Sequence, residues 1–191
     1  MSRFCLCLIA SCLCFLVVSN AAAQSDLGLK GAGLEVGFVD PQDVDATLGF
    51  GVFVDLGTIV PRVKLDAHLD YWSKSEEQYG IEASVRDIAV GAKAKYLFEV
   101  PTNRIRPFAG GGVSIHFVSA EVTIPDQNIM GVIVPGTSVS DSSTKLGLDL
   151  GGGFYAPLTP KVSFVTEMWV GIVSDVNQLS LKIGLLYNLG S

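Results

Sequence analysis

Eight runs of roughly ten residues alternate strictly between large apolar side chains and a second set that is mostly glycine with isolated charges. Period-two alternation marks a β-strand with one apolar face. The runs cover about residues 30–39, 48–56, 63–71, 87–98, 108–117, 146–154, 162–172 and 179–189. In the second, Leu48, Phe50, Val52, Val54 and Leu56 oppose Gly49, Gly51, Phe53 and Asp55. In the last, Leu179, Leu181, Ile183, Leu185, Tyr187 and Leu189 oppose Ser180, Lys182, Gly184 and Asn188. After residue 23 no apolar period of 3.6 residues lasts long enough for a convincing helix.

Roughly ten residues is the length a tilted strand needs to cross a membrane. The connections alternate as well. They are brief near 57–61, 99–105 and 157–160, and longer near 40–46, 73–84 and 121–143, with a short one near 174–177. Of the 8 prolines, Pro61, Pro101, Pro107, Pro157 and Pro160 sit at the brief turns or strand starts and none interrupts a strand interior, where proline would delete a ladder hydrogen bond. The expected fold is all-β: an eight-stranded antiparallel up-and-down barrel.

Alternation alone does not separate a membrane barrel from a soluble one. The second face decides it. A water-facing strand surface favours Thr, Lys, Glu and Gln and avoids glycine. Here that face holds glycine with Glu35, Asp55, Lys64, Asp66, Asp70, Asp87, Lys93, Lys95, Asp149, Glu167 and Lys182. Small residues beside opposite charges suit a crowded lumen, which turns the aliphatics toward lipid. The expectation is a lysine–carboxylate network inside, with the surplus acids near the mouths. Aromatics cluster near segment ends, with Phe98, Phe108, Phe154, Phe164 and Tyr187 at the short-turn end and Phe38, Tyr71, Phe117 and Trp169 toward the other. That distribution predicts two interfacial girdles.

The chain begins with Arg3, an apolar run over residues 4–18, and Ala21-Ala22-Ala23. This is the order of a cleavable signal peptide, so residues 1–23 are read as leader and 24–191 as barrel. The apolar run is short for a membrane-spanning helix. Ile9-Ala10-Ser11-Cys12 offers an alternative lipoprotein processing site. All 4 cysteines fall in this segment, which leaves the barrel without thiol chemistry or a cysteine-bound metal. With the leader removed, 12 basic residues stand against 19 acidic ones, a net charge of −7. Nucleic acid is therefore an unsuitable partner.

Two short motifs carry a resemblance. Lys182-x-Gly184-x-x-Tyr187-x-Leu189 resembles the terminal-strand signal by which bacterial outer-membrane barrels are recognised for assembly. Arg106-Pro107-Phe108-Ala109-Gly110-Gly111-Gly112-Val113 resembles the fifth-strand opening of small OmpA/OmpX-like barrels of the outer membrane protein β-barrel domain group. The sequence departs from that pattern in carrying Gly190-Ser191 after Leu189, where the family usually ends on an aromatic. The resemblance implies the outer membrane of a Gram-negative cell, contact with outer-membrane lipids, and the barrel-assembly machinery as a partner of the last strand.

Signs of chemistry are few. The HExxH, P-loop, GxSxG and dinucleotide fingerprints are absent, and no cofactor or metal is implied. The glycine clusters 110–112 and 151–153 lie within strands, lead into no helix and read as close packing. His116, with Ser114 on the same face, is the candidate for hydrolase chemistry. Outer-membrane lipid A deacylases carry His-x-Ser, but the residue two after His116 is Val118. Histidines bonded within a polar lumen are the favoured reading. Asp40, Asp43 and Asp45 lack EF-hand spacing and read as a solvated tip. Residues 129–134, Ile-Met-Gly-Val-Ile-Val, make the long excursion either a partner surface or a strand pair rising above the membrane. The sequence thus predicts a non-enzymatic barrel with a structural or surface-interaction role and a possible extracellular partner at loop 121–143. A small-ligand transporter or porin-like channel, a lipid-modifying enzyme and a soluble binder are the alternatives.

Overall fold

The computed structural model describes residues 25–42, 44–78, 81–101, 104–129, 132–173 and 176–190. The leader reading of residues 1–23 lies outside them. Eight long strands close into a ring: β1 (Asp26–Pro41), β2 (Thr47–Val60), β3 (Val63–Gln78), β4 (Ile81–Leu97), β5 (Arg106–Ile124), β8 (Thr137–Pro157), β9 (Val162–Val173) and β10 (Val176–Asn188). Each pairs antiparallel with its sequence neighbour in that series, and β1 closes on β10 from Gly31↔Asn188 to Pro41↔Gln178. The remaining two, β6 (Gln127–Ile129) and β7 (Val132–Val134), form a separate hairpin between β5 and β8.

Parity sorts the side chains. Leu34, Leu48, Leu146, Leu148, Leu150, Met168 and Ile183 are all more than half exposed on the outer wall. The large residues of opposite parity are buried in the lumen. Phe53, Phe108, Tyr155, Val165, Trp169 and Leu186 pack there as one cluster, nearer the short-turn end. This corrects two girdle assignments. Phe108 and Trp169 are 3% and 2% exposed, because each shares its parity with a lumenal residue two positions away, Gly110 and Glu167. On the outer wall, Phe38, Phe50, Tyr71 and Phe117 lie toward the long-loop end, and Tyr96, Phe98 and Tyr187 toward the other.

Lumenal glycines make room for these rings. A Cβ on Gly151 would run into the Met168 carbonyl oxygen and stand 2.7 Å from Trp169, and one on Gly112 would stand 2.7 Å from the Ala92 carbonyl oxygen and 2.8 Å from the Lys93 stem. The short turn between β2 and β3 shows another local device. Pro61 precedes Arg62, which adopts φ 71°. Proline followed by a left-handed residue follows the type II turn pattern.

Four strands run on past the apolar wall. The segments expected as loops at 73–84 and 121–143 are strand continuations, paired through Gln78↔Ile81 and Ile124↔Thr137. On their outer face, lipid-type residues give way to Ser73, Arg86, Ser119 and Ser142 in a single register row, directly after the row Tyr71, Ile88, Phe117 and Thr144. The alternation persists there, but serine has replaced leucine on the outer face, so a search for aliphatic periodicity passes over it. β1, β2, β9 and β10 stop near the end of the wall. One half of the mouth therefore carries a four-stranded sheet of β3, β4, β5 and β8 about 20 Å long at ~3.3 Å per residue, and the other half is low.

The glycine–aromatic fit is tested at one position. Gly151→Leu is expected to destabilise the refolded barrel by about 1–3 kcal/mol through overpacking against Trp169 and the Met168 backbone, read as a lower midpoint in urea unfolding followed by tryptophan fluorescence.

Candidate functional site

Two features other than the wall are candidates: the ionic lumen and the protruding sheet. All eleven lumenal charges expected from the sequence point inward. Ten are at most 8% exposed, and the Asp70 side chain is 18% exposed. Each lysine lies within 4 Å of a carboxylate.

The most deeply buried lysine is Lys95. Its Nζ lies 2.8 Å from Asp66 and 2.9 Å from Glu167, with the rings of Phe108 and Phe53 at 4.9 and 5.4 Å. Tyr155 donates to Asp66 at 3.2 Å and the Trp169 indole donates to Glu167 at 2.8 Å. Near the short-turn mouth Lys64 pairs with Asp55 at 3.2 Å and lies 4.4 Å from the centre of the Tyr155 ring. On the other side of the cluster Lys182 bonds Glu35 at 2.7 Å and Asp70 at 2.5 Å. Lys93 is only 3.9 Å from Asp70 and stacks on Trp169. Asp149 is buried with one oxygen unbonded. It shares a void of about 20 Å³ with Asp87 and Trp72, room for about one water.

Tyr155, Trp169 and Trp72 were absent from the expected site. Parity was the signal that could have found them, since Asp149, Gly151, Gly153 and Tyr155 are spaced by two. A second grouping needed the register itself. His116 Nδ1 is 2.6 Å from Asp87, and Nε2 is 3.0 Å from Ser114 Oγ. The β4–β5 pairing brings these groups together across 29 residues of sequence. The order Ser–His–Asp is that of a nucleophilic triad, yet Ser114 and His116 are 3% and 2% exposed and face the lumen, away from lipid. Gly147, on the next strand, leaves the space beside them. A Cβ there would stand 2.6 Å from Ser114 Oγ. Of the acidic tip, Asp43 lies outside the described residues. Among the described residues no group of three or more His, Cys, Asp or Glu could hold a metal ion.

The closed eight-strand ring with an aliphatic outer wall agrees with comparison to known families. The model for the outer membrane protein beta-barrel domain matches residues 8–188. The chain belongs to this outer-membrane barrel family. The barrel therefore sits in the bacterial outer membrane.

Similar folds include Neisserial surface protein A, at 12% identity and a TM-score of 0.57, over 83% of this chain and 96% of that one. The N-terminal barrel of Pseudomonas aeruginosa OprF aligns at 12% identity and TM-score 0.55, over 85% and 99%. Yersinia pestis Ail, in complex with the heparin analogue sucrose octasulfate, aligns at 15% identity and TM-score 0.53, over 84% and 100%. At these identities the likeness shows the fold alone. None of the curated proteins matches the chain.

Two tests follow from this outer-membrane barrel's lumen. Lys95→Met strands Asp66 and Glu167 and should cost about 3–5 kcal/mol, with much of the loss recovered by adding Asp66→Asn and Glu167→Gln. Lys93→Met, which removes a long ion pair to Asp70, should cost far less in the same urea titration. Ser114 should stay unlabelled by a fluorophosphonate probe in the folded barrel, as read by mass spectrometry.

Proposed function

We propose that this protein is a non-enzymatic outer-membrane barrel that works through its extracellular sheet, in a surface-interaction role. One observation carries the reading: β3, β4, β5 and β8 continue as paired strands well past the end of the apolar wall. A barrel needing only to span the membrane would gain nothing from ordering these residues, each at a conformational cost of about 1–2 kcal/mol.

The rest of the molecule is the support. The lumen is filled by an aromatic cluster and interlocked ion pairs, which argues against a diffusion pore; eight strands enclose little more than their own side chains. The sealed Ser114–His116–Asp87 relay fits a structural hydrogen-bond network better than a hydrolase. The eleven lumenal charges serve, on this reading, to lock the barrel into a stiff pedestal. Residues 1–23 would act as the export leader. The terminal strand would present Lys182, Gly184, Tyr187 and Leu189 to the assembly machinery. Its support is the family pattern together with the outward, half-exposed Tyr187 and Leu189.

Replacing residues 74–85 and 119–142 by short glycine-containing turns tests the role. The shortened barrel should still change gel mobility on boiling, and cells carrying it should attach less to extracellular-matrix coatings than cells carrying the full-length chain. Retained attachment would remove the sheet from the function.

A further inference from the structure

The two ends of the barrel carry opposite charge. Among the described residues at the short-turn end, Lys30, Arg62, Arg104, Arg106 and Lys161 stand against Asp26 and Glu99. At the other end Lys74, Arg86 and Lys145 stand against Asp40, Asp45, Glu76, Glu77, Glu82, Glu121, Asp126 and Asp141. A chain of net charge −6 has gathered its exposed cations at one rim.

That rim surrounds an open cup of about 520 Å³ at the lumen mouth, a volume in the range of small-molecule sites. Lys64 and Tyr155, 8% and 6% exposed, form its floor. The β5–β8 register sets Arg106 directly opposite Tyr155, and the parity Arg106 shares with Phe108 turns it toward the cup. Arg106 opens the Arg-Pro-Phe run that carries the family resemblance, yet neither the lipid wall nor the ion-pair network uses it.

The other charges of the cup are already neutralised. Lys30 bonds Asp26 at 2.7 Å, Lys64 pairs with Asp55 at 3.2 Å, and the Gly57 N–H donates to Asp55 at 2.8 Å. Outside the cup, Arg62 pairs with Glu99 at 2.6 Å. Arg106 is exposed and has no carboxylate partner among the described residues. The cup thus holds one uncompensated guanidinium, whose planar fork matches two oxygens of a single phosphate. Thr58, Ser163 and Asn188 line the wall beside it with hydroxyl and amide groups.

We propose that this cup binds a phosphate-bearing polyol, the chemistry shared by the glycerophosphate headgroup of an anionic lipid and a free sugar phosphate. Arg106 takes the phosphate by a paired hydrogen bond, the Lys64 ammonium attracts it from the floor, and Thr58, Ser163 and Asn188 bond the polyol hydroxyls. The site is independent of the protruding sheet and would add a ligand at the opposite end of the barrel.

The test uses the full barrel in octyl glucoside, with the Arg106 Nε resonance assigned by its loss in Arg106→Lys. Glycerol 3-phosphate should shift that resonance saturably, and glycerol or inorganic phosphate alone should need at least tenfold higher concentration. Arg106→Gln should weaken binding of radiolabelled glycerol 3-phosphate at least tenfold. Arg62→Gln, on the same rim but outside the cup, should change it less than twofold. Both glutamine variants are first shown folded by their mobility shift on boiling. Phosphatidylcholine nanodiscs with and without phosphatidylglycerol then separate the two sources. If phosphatidylglycerol moves the Arg106 resonance and leaves glycerol 3-phosphate without effect, the ligand is a lipid headgroup. If the resonance ignores the lipid and still answers to glycerol 3-phosphate, the ligand is a free compound. No saturable shift, inorganic phosphate binding as tightly as glycerol 3-phosphate, or equal losses in the two glutamine variants would overturn the proposal.

Discussion

Hydrocarbon offers no hydrogen bonds to an exposed peptide group, and everything else in this structure depends on that constraint. A chain of strands in lipid has to pair every N–H and C=O with another strand, which leaves closure as the only solution. Eight strands close into a ring whose interior is filled by side chains. Away from its mouths that interior holds its polar atoms out of reach of bulk water. The lysines and carboxylates therefore have to neutralise one another inside, and glycine has to appear wherever a ring or an ammonium stem needs space.

The lumen and the sheet answer different demands. In the lumen, Lys95 between Asp66 and Glu167 and Lys182 between Glu35 and Asp70 tie together strands that are far apart in sequence. Buried pairs of this kind gain little over apolar packing but are costly to break, so they favour one arrangement of the ring over its near alternatives. Above the membrane the sheet is free of lipid, and water can satisfy its edges. The four strands that rise there have exchanged leucine for serine on one face while keeping valine and alanine on the other.

The fold was legible because lipid enforces a two-residue period in aliphatic side chains, and all eight barrel strands show it. Strand ends were not legible, because Ser73, Ser119 and Ser142 continue the geometry without continuing the hydrophobicity. Parity was a better guide than residue type. Phe108 and Trp169 look like interfacial aromatics by composition, but their spacing from Gly110 and Glu167 places them inside. The pairing of His116 with Asp87 depends on the β4–β5 register, which neither alternation nor composition encodes.

Lys182 lies on the last strand opposite Gly37, and its carboxylate Glu35 lies on the first, two residues along across the seam. A ring with that seam still parted would expose a bare ammonium to an interior already holding its acids. Zipping the final pair and balancing the interior are thus one event, so a miscounted or slipped barrel is penalised electrostatically at the moment it tries to shut.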